Sequence, residues 1–303
     1  MAIPTRITAA AAAVPLLLAA GACGASDPYS EGGAANGSGG ALVVGSADFP
    51  ESTLLANIYA QALENAGQEV ETKFNIGSRE VYYDQIESGN LSVLPEYNGG
   101  ILLYLDQEAE PGNREETDGR VEEALPDGLS ILDSAAAENK DSITVTRKTA
   151  EENDLTEIGD LSEAAGDMVL GGPPEFESRP QGVPGLEKAY GLEFERFESL
   201  EPALLPQALT DGDIQAANLF TTDPAIATED LVTLEDPENV FGAQNVVPLI
   251  HDASVDDAAR EALNAVSAEL TTEDLVALNE RVSIEHESPA DVAADWLQEK
   301  GLA

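Results

Sequence analysis

The feature of the chain that most constrains its fold is an alternation of short apolar runs and helix-like segments near the start of its apolar-rich body. Residues 41–46, 70–76 and 91–94 are short runs that predict strands, the last of them closed by Pro95. Between them, one segment places its apolar residues on a single helical face, and another begins at the turn 77–80. This order, with its short connections, predicts a parallel sheet that helices cover on both faces.

The same pattern predicts where a ligand binds and that a second lobe follows. Ligands of such sheets bind beyond the carboxyl ends of the strands, which here means the loops 46–52, 77–80 and 95–100. The run 142–147 starts a further strand, and helix-like and strand-like segments continue to residue 220. These segments predict a second α/β lobe of the same kind.

The C-terminal tail from Val255 onward carries helix signals. Thr271 or Thr272 can cap one helix, and Ser288 followed by a proline can start another. Trp296 falls on the apolar side of this last helix, so it is interpreted as a packing anchor rather than a ligand platform.

The N-terminus has the form of an export signal. Arg6 precedes an apolar run over 7–20, and the small residues 20–22 lead directly to Cys23. The run is too short for an ordinary membrane-spanning helix. The segment resembles the lipobox of bacterial lipoproteins, although alanine stands where that motif usually has leucine, and it predicts lipidation of Cys23. The alternative is a plain secretory signal with an incidental cysteine. Residues 24–40 are rich in glycine and predict a flexible linker.

Composition excludes several classes of function. The chain has 58 acidic residues against 14 Lys and Arg, a net charge of -44, so its surface would repel nucleic-acid phosphates. This charge indicates an acidic surface adapted to high salt, and the alternative is a calcium-loaded acidic protein, although the nearest loop pattern, at 211–215, fails the calcium-loop spacing. Cys23 is the single cysteine, so no disulfide framework or thiolate zinc site is expected. His251 and His286 are the two histidines, which leaves few ways to assemble a histidine-dependent active centre.

A series of short motifs stands at the ends of the predicted strands. They are Val43-Val44-Gly45-Ser46, Gly77-Ser78-Arg79-Glu80, Pro95-Glu96-Tyr97, Gly171-Gly172-Pro173-Pro174-Glu175-Phe176, Arg179-Pro180 and Phe220-Thr221-Thr222-Asp223-Pro224. In this order and spacing they resemble the substrate-binding proteins of ABC importers for glycine betaine, choline and related osmoprotectants. The similarity runs from about Leu42 to Leu297.

The resemblance implies a type II periplasmic-binding-protein-like fold, in which two lobes, each a mostly parallel sheet flanked by helices, are joined by two crossovers. The first lobe would hold residues 41–141 and 248–303, and the second 142–247. The lobes close on a solute in the cleft, and ABC permease subunits in the membrane receive it. We therefore expect a monomer that needs no cofactor, holds no metal and has no catalytic residue.

The resemblance also implies which residues bind the ligand. A quaternary ammonium has no N–H to donate, so proteins recognise it by shape, by aromatic faces and by carboxylates. The family uses an aromatic box, and an arginine that takes the carboxylate of the ligand in a fork of hydrogen bonds. Tyr97 and Phe220 match box positions and Arg179 matches the clamp, while core packing is the alternative for the two rings.

Several positions depart from the family pattern. Asp141 stands where the family usually has tyrosine, Gly100 replaces a threonine and Ser52 replaces a glutamine. A buried carboxylate at position 141 would be satisfied better by a primary or secondary amine than by a trimethylammonium group. Gln244 and Asn245, just before the second crossover, are candidates for further polar contacts.

These departures lead to a hypothesis about the ligand. Arg179 and Asp141 bracket a zwitterion that can carry N–H groups, and Tyr97 and Phe220 cover its apolar part. Asp141 also has an alternative interpretation as a solvated turn residue.

Three functions stay open at this point. The first is an extracytoplasmic solute receptor for an osmoprotectant importer, or for a different zwitterion such as an amino-acid derivative. The second is an exported hydrolase with carboxylates such as Glu96 and Asp223 as acid and base. The third is a sensing module for a signalling partner, which predicts further domains in the chain.

Overall fold

The computed structural model describes residues 40–110 and 112–303. The expected signal segment, most of the linker and Cys23 lie outside the described residues. The strands are β1 (Leu42–Gly45), β2 (Val70–Lys73), β3 (Val93–Tyr97), β4 (Leu129–Ile131), β5 (Asp141–Thr146), β6 (Val169–Gly172), β7 (Arg196–Ser199), β8 (Ala216–Phe220), β9 (Leu231–Thr233) and β10 (Val246–His251).

Helices alternate with these strands. They are α1 (Pro50–Asn65), α2 (Arg79–Glu87), α3 (Asn98–Leu105), α4 (Arg114–Ala124), α5 (Arg147–Glu152), α6 (Val183–Tyr190), α7 (Leu205–Asp211), α8 (Ala225–Thr228), α9 (Asp257–Glu269), α10 (Thr272–Ser283) and α11 (Pro289–Lys300). Short 3₁₀ turns lie at Ile158–Glu163, Ala165–Asp167, Pro174–Glu177 and Pro202–Leu204. No helix in the described part of the chain is both long enough and apolar enough to cross a membrane.

The strands form two five-stranded sheets, one in each lobe. The first has the order β2-β1-β3-β10-β4, and the second has the order β7-β6-β8-β5-β9. All strands of the second sheet lie between residues 141 and 233, whereas the first sheet takes β10 from beyond them. The two-lobed α/β fold is therefore confirmed, and the residue at which each lobe begins and ends stays a prediction.

Both sheets are mixed, and the crossovers explain why. In the first sheet β1 runs parallel to β2 and β3, but β10 runs antiparallel to β3 and β4. The first residue of β10, Val246, pairs with Tyr97, the last residue of β3. In the second sheet Asp141 opens β5 and pairs with Phe220, the last residue of β8. Each crossover strand therefore enters its lobe at the carboxyl ends of its neighbours, so it must run in the opposite direction.

Pro95 does not close the third strand, and this expectation is wrong. Strand β3 continues through it to Tyr97, and its partner across the ladder is Pro248 of β10. Neither proline has an N–H, so the pair fits a ladder position at which no hydrogen bond is exchanged.

The core of the first lobe forms around α1. Its Leu54, Leu55, Ile58 and Leu63 side chains are fully buried and belong to a cluster with residues of α9, α10 and α11. Trp296 of α11 belongs to the same cluster and is 3% exposed, which confirms its role as a packing anchor. The helices of the C-terminal tail therefore complete the first lobe.

Helix α10 begins with a reciprocal cap, as its sequence predicts. The Thr271 Oγ1 accepts a hydrogen bond from the backbone N–H of Asp274 at 3.1 Å, and the Asp274 carboxylate accepts one from the Thr271 N–H at 3.0 Å. We expect Thr271→Ala to lower the free energy of unfolding by about 1 kcal/mol, because one N–H at the helix start loses its acceptor. Chemical denaturation measures this loss, and Thr210→Ala on the exposed surface of α7 is the control. Equal stability of the two variants would contradict the prediction.

Candidate functional site

A cavity of about 330 Å³ lies between the carboxyl ends of the two sheets. The first lobe contributes the loop after β1, the start of α2 and the end of β3. The second lobe contributes the loop after β6, the segment before α6 and the end of β8. Its volume falls at the lower end of the range for small-molecule sites.

Six of the seven side chains predicted to contact the ligand line this cavity. They are Ser52, Tyr97, Asp141, Arg179, Phe220 and Gln244. Asn245 does not line it. The Asn245 amide donates to the Ala135 carbonyl at 3.0 Å, and its backbone N–H donates to the Asn98 side chain at 2.8 Å. Asn245 therefore holds the second crossover in place.

Four aromatic residues line the cavity, namely Phe49, Tyr82, Tyr97 and Phe220, and the Phe49 ring contacts those of Tyr97 and Phe220. Phe49, in the loop after β1, lies 6.3 Å from Tyr97 and 5.5 Å from Phe220, measured between ring centroids. Phe49 belongs to the first lobe and Phe220 to the second. This ring was not among the candidate ligand contacts, although it stands in one of the loops predicted to face the ligand.

Arg179 reaches across the cleft to the first lobe. Its Nε and Nη2 donate to the two carboxylate oxygens of Glu80 at 3.1 and 3.2 Å. Burial would raise the pKa of Glu80, but hydrogen bonds from Arg179 and Ser78 and the guanidinium charge lower it to about 2. This pair bridges the start of α2 and the loop before α6.

A second guanidinium in the cavity wall, that of Arg79, was missed. Its Nε and Nη2 donate to the Glu96 carboxylate at 2.8 Å each, and the Tyr82 hydroxyl donates to the same carboxylate at 2.6 Å. A Cβ at Gly100 would lie 2.5 Å from the Arg79 Nη2. The glycine at position 100 therefore makes room for this arginine.

Asp141 faces the cavity and is not a solvated turn residue. It opens β5, and its Oδ1 accepts a hydrogen bond from the Asn218 amide at 3.1 Å. Burial raises the pKa of Asp141, and hydrogen bonds from Asn218 and Gln181, together with the charges of Arg179 and Arg79, oppose the increase only in part.

Ser52 and Gln244 organise backbone at the cavity edge. The Ser52 Oγ accepts from the Ala47 N–H at 2.9 Å. The Gln244 Oε1 accepts from the Gly100 N–H at 2.9 Å, and its Nε2 donates to the Phe241 carbonyl at 3.0 Å. Both side chains hold loops that shape the cavity.

Behind the cavity, the buried carboxylate of Glu51 joins both lobes. It accepts hydrogen bonds from the Tyr97 hydroxyl at 2.5 Å and the Asn139 amide at 2.7 Å. It also accepts from the Thr222 hydroxyl and the Asn279 amide, both at 2.5 Å. Thr222 follows β8 in the second lobe, and the other donors belong to the first lobe and the first crossover. The Tyr97 ring is therefore oriented by a contact that also spans the lobes.

We expect Glu51→Gln to lower the free energy of unfolding by about 1–3 kcal/mol, because the new amide group would face donors that then lose their acceptor. Glu64→Gln, on the exposed side of the same helix, is the matched control and should change stability little. Chemical denaturation measures both variants. Wild-type stability of Glu51→Gln would show that this carboxylate does not hold the lobes together.

Asp141 should reduce the stability of the ligand-free protein. Its native pKa lies above that of the unfolded chain, so stability falls as the pH rises from the ordinary aspartate pKa through the raised one. We expect Asp141→Asn to be more stable than the wild type at pH 7, with the difference vanishing in acid. Thermal unfolding at a series of pH values measures this, and Asp127→Asn on the exposed surface is the control. A pH-independent difference would contradict the prediction.

Comparison with known proteins agrees with this architecture. Residues 40–299 match the family described as the substrate binding domain of the ABC-type glycine betaine transport system. The glycine betaine-binding protein YehZ of Escherichia coli K12 is 31% identical over 274 residues, which cover 85% of this chain and 90% of that protein. The carnitine transport binding protein OpuCC of Listeria monocytogenes is 23% identical over 262 residues, which cover 84% of this chain and 85% of that protein.

Solved structures show the same fold. Apo YehZ from Escherichia coli superimposes with a TM-score of 0.63 at 28% identity, covering 88% of this chain and all of that one. A structure described as a glycine betaine/carnitine/choline ABC transporter superimposes with a TM-score of 0.68 at 20% identity, covering 86% of this chain and 99% of that one. The resemblance stated from the motifs is confirmed: the chain belongs to the family of substrate-binding domains of ABC-type glycine betaine transport systems, whose members bind solutes for import outside the cytoplasm.

Proposed function

We propose that this protein binds a small osmoprotectant with an ammonium head group in the cavity between its lobes and delivers it to the permease of an ABC importer. Relatives named for glycine betaine and carnitine support this class of ligand. The observation that carries the proposal is the cavity itself, because it brings a guanidinium, aromatic rings from both lobes and a carboxylate to one small space.

In this proposal Arg179 binds the carboxylate end of a zwitterionic ligand. Its two bonds to Glu80 use two of the five N–H donors of the guanidinium, Glu175 lies 3.8 Å from Nη2, and the Nη1 donors are available to a ligand. Glu80 fixes the plane of the guanidinium, so less side-chain freedom is lost on binding. Phe49, Tyr97 and Phe220 cover the apolar part of the ligand.

The proposal also includes closure of the lobes around the ligand. Contacts that cross the cleft include the Arg179–Glu80 pair, the Phe49–Phe220 ring contact and the hydrogen bonds of Thr222 with Glu51 and Asn279. Such contacts favour a closed form, and hinged closure around a ligand is a common switching motion in binding proteins. We propose that the permease receives the closed form.

We propose that the ligand is bound and released without reaction. The hydrolase alternative would need Glu96 and Asp223 to face one substrate. Glu96 is held by Arg79 and Tyr82. Asp223 lines an adjoining groove, on the other side of Phe49 and Phe220, and accepts a hydrogen bond from the Ala225 N–H at 2.9 Å. This arrangement does not favour the two carboxylates as an acid–base pair.

The rest of the proposal concerns attachment and assembly. Cys23 carries lipid, residues 24–40 act as a flexible linker, and the folded part works as a monomer beside its permease. The net charge of -44 supports a surface adapted to high salt and gives nucleic acid no basic patch to bind.

Calorimetric titration with glycine betaine, carnitine and choline tests the proposal. We expect at least one of them to bind. We expect Arg179→Gln to weaken binding of the two solutes that carry a carboxylate by about tenfold to a hundredfold, because an ionic hydrogen bond is lost. Choline has no carboxylate, so its binding should change less.

Two further variants make the result specific. Glu80→Gln keeps the arginine but removes the ionic bridge between the lobes, so it reports the part of the loss that comes from closure. Arg196→Gln removes an exposed arginine of the same lobe, which is paired with Glu198, and should have no effect. Binding of none of these solutes or of their N,N-dimethyl counterparts, or equal affinities in the wild type and Arg179→Gln, would overturn the proposal.

A further inference from the structure

Phe49, Tyr97 and Phe220 form one aromatic wall of the cavity, and Tyr82 lines it separately with its hydroxyl held by Glu96. The Phe49 centroid lies 5.5 and 6.3 Å from those of Phe220 and Tyr97, which are distances of direct ring contact. The ring planes are inclined by 28° and 30°, and a cation held between two such nearly parallel faces would need their centroids about 9 Å apart. These rings can cover one side of an ammonium group, and its other side must meet different chemistry.

Asp141 stands next to this aromatic wall. Its Cα is the ladder partner of Phe220, and paired residues of neighbouring strands direct their side chains to the same face of the sheet. Both side chains line the cavity. A ligand that rests on the Phe220 ring therefore lies within reach of the Asp141 carboxylate.

The two guanidinium groups do not neutralise Asp141 by an ion pair. Arg79 donates two hydrogen bonds to Glu96, and Arg179 donates two to Glu80. Among the described residues Asp141 has no salt-bridge partner within 4.0 Å, and the hydrogen bond that fixes its Oδ1 comes from a neutral amide, that of Asn218. A partly buried carboxylate without an ionic partner gains most from a charged donor.

Gln181 extends the polar wall. Its side chain is 4% exposed and lines the cavity beside Asp141. The Oε1 of Gln181 is a hydrogen-bond acceptor. That Oε1 accepts no hydrogen bond from any described residue. The wall therefore has unused capacity to accept hydrogen bonds.

We propose that the ammonium head of the ligand keeps at least one N–H, which it donates to Asp141 while its methyl groups rest on the rings of Phe220 and Tyr97. A tertiary ammonium therefore binds more tightly than its quaternary counterpart. This inference rests on the proposed function and names the substrate class of the same site. A fully methylated nitrogen offers only C–H groups to the carboxylate. The cost of removing water from the carboxylate is then not offset by a new hydrogen bond.

Two matched ligand pairs test the inference by titration calorimetry at pH 7. Glycine betaine and N,N-dimethylglycine differ by one methyl group on nitrogen, as do choline and dimethylaminoethanol. We expect the member with the N–H to bind about tenfold more tightly in each pair that binds, since one hydrogen bond between charged groups is gained. Comparison within a pair cancels the contribution of the acidic or alcohol end.

Variants at Asp141 assign the preference to this residue. Asp141→Asn keeps the shape but loses the charge, so the ratio of the tertiary ligand's affinity to that of its quaternary counterpart should decrease. Asp141→Leu removes the acceptor, so the quaternary member should bind as well as the tertiary member or better. Asp223→Asn is the matched control, because burial also raises the pKa of Asp223 but its side chain lies outside the cavity. It should keep the wild-type ratio, and thermal unfolding checks that each variant is folded.

The outcomes separate this inference from the proposed function. Tighter binding of the quaternary member by the wild type would overturn the inference and leave the proposed function in place. The same ratio in the wild type and Asp141→Leu would also overturn it. Binding of none of the four compounds at millimolar concentration would overturn the proposed function, and the inference with it.

Discussion

The Glu51 carboxylate is buried without a cation, and it is held by four neutral donors from distant parts of the chain. Tyr97 ends a strand of the first sheet, Asn139 lies in the first crossover, Thr222 belongs to the second lobe and Asn279 to α10. Removing a carboxylate from water is costly unless several donors replace the water. The position of the lobes and the orientation of the Tyr97 ring therefore depend on the same few hydrogen bonds, which couples the shape of the cavity to its closure.

The cavity has an aromatic wall and a charged wall, and each contributes differently to ligand recognition. The rings provide apolar area and attract a cation, but they cannot select among cations of similar size. The charged groups fix the orientation of the ligand. Each arginine is already oriented by a carboxylate, Arg79 by Glu96 and Arg179 by Glu80, so the guanidinium planes are set before a ligand arrives. Asp141 is the lining carboxylate that stands beside the Phe220 ring, while Asp48, Glu175 and Glu201 line other parts of the cavity.

Local signals in the sequence were enough to predict the two lobes, the order of the first strands and helices, and the cap at Thr271. Each of these depends on residues within one or two turns of each other. The signals failed where partners are distant, since Glu51 meets Thr222 across 171 residues and Asn279 across 228. Nothing near Arg79 indicates that Glu96 and the space at Gly100 would hold its guanidinium in the cavity wall. Six predicted ligand contacts line the cavity because the family motifs mark strand ends, where the topology brings loops together.

The path of the chain through the two sheets has a consequence for biosynthesis. Strand β4 joins the first sheet only through β10, because the order of that sheet is β2-β1-β3-β10-β4. The second sheet is contiguous in sequence and can assemble as soon as its residues emerge. The N-terminal lobe must wait, partly unpaired, until the second lobe and the returning strand have been made. An unpaired β3 edge is exposed during that interval, so the nascent chain is most prone to aggregate before β10 has been synthesised.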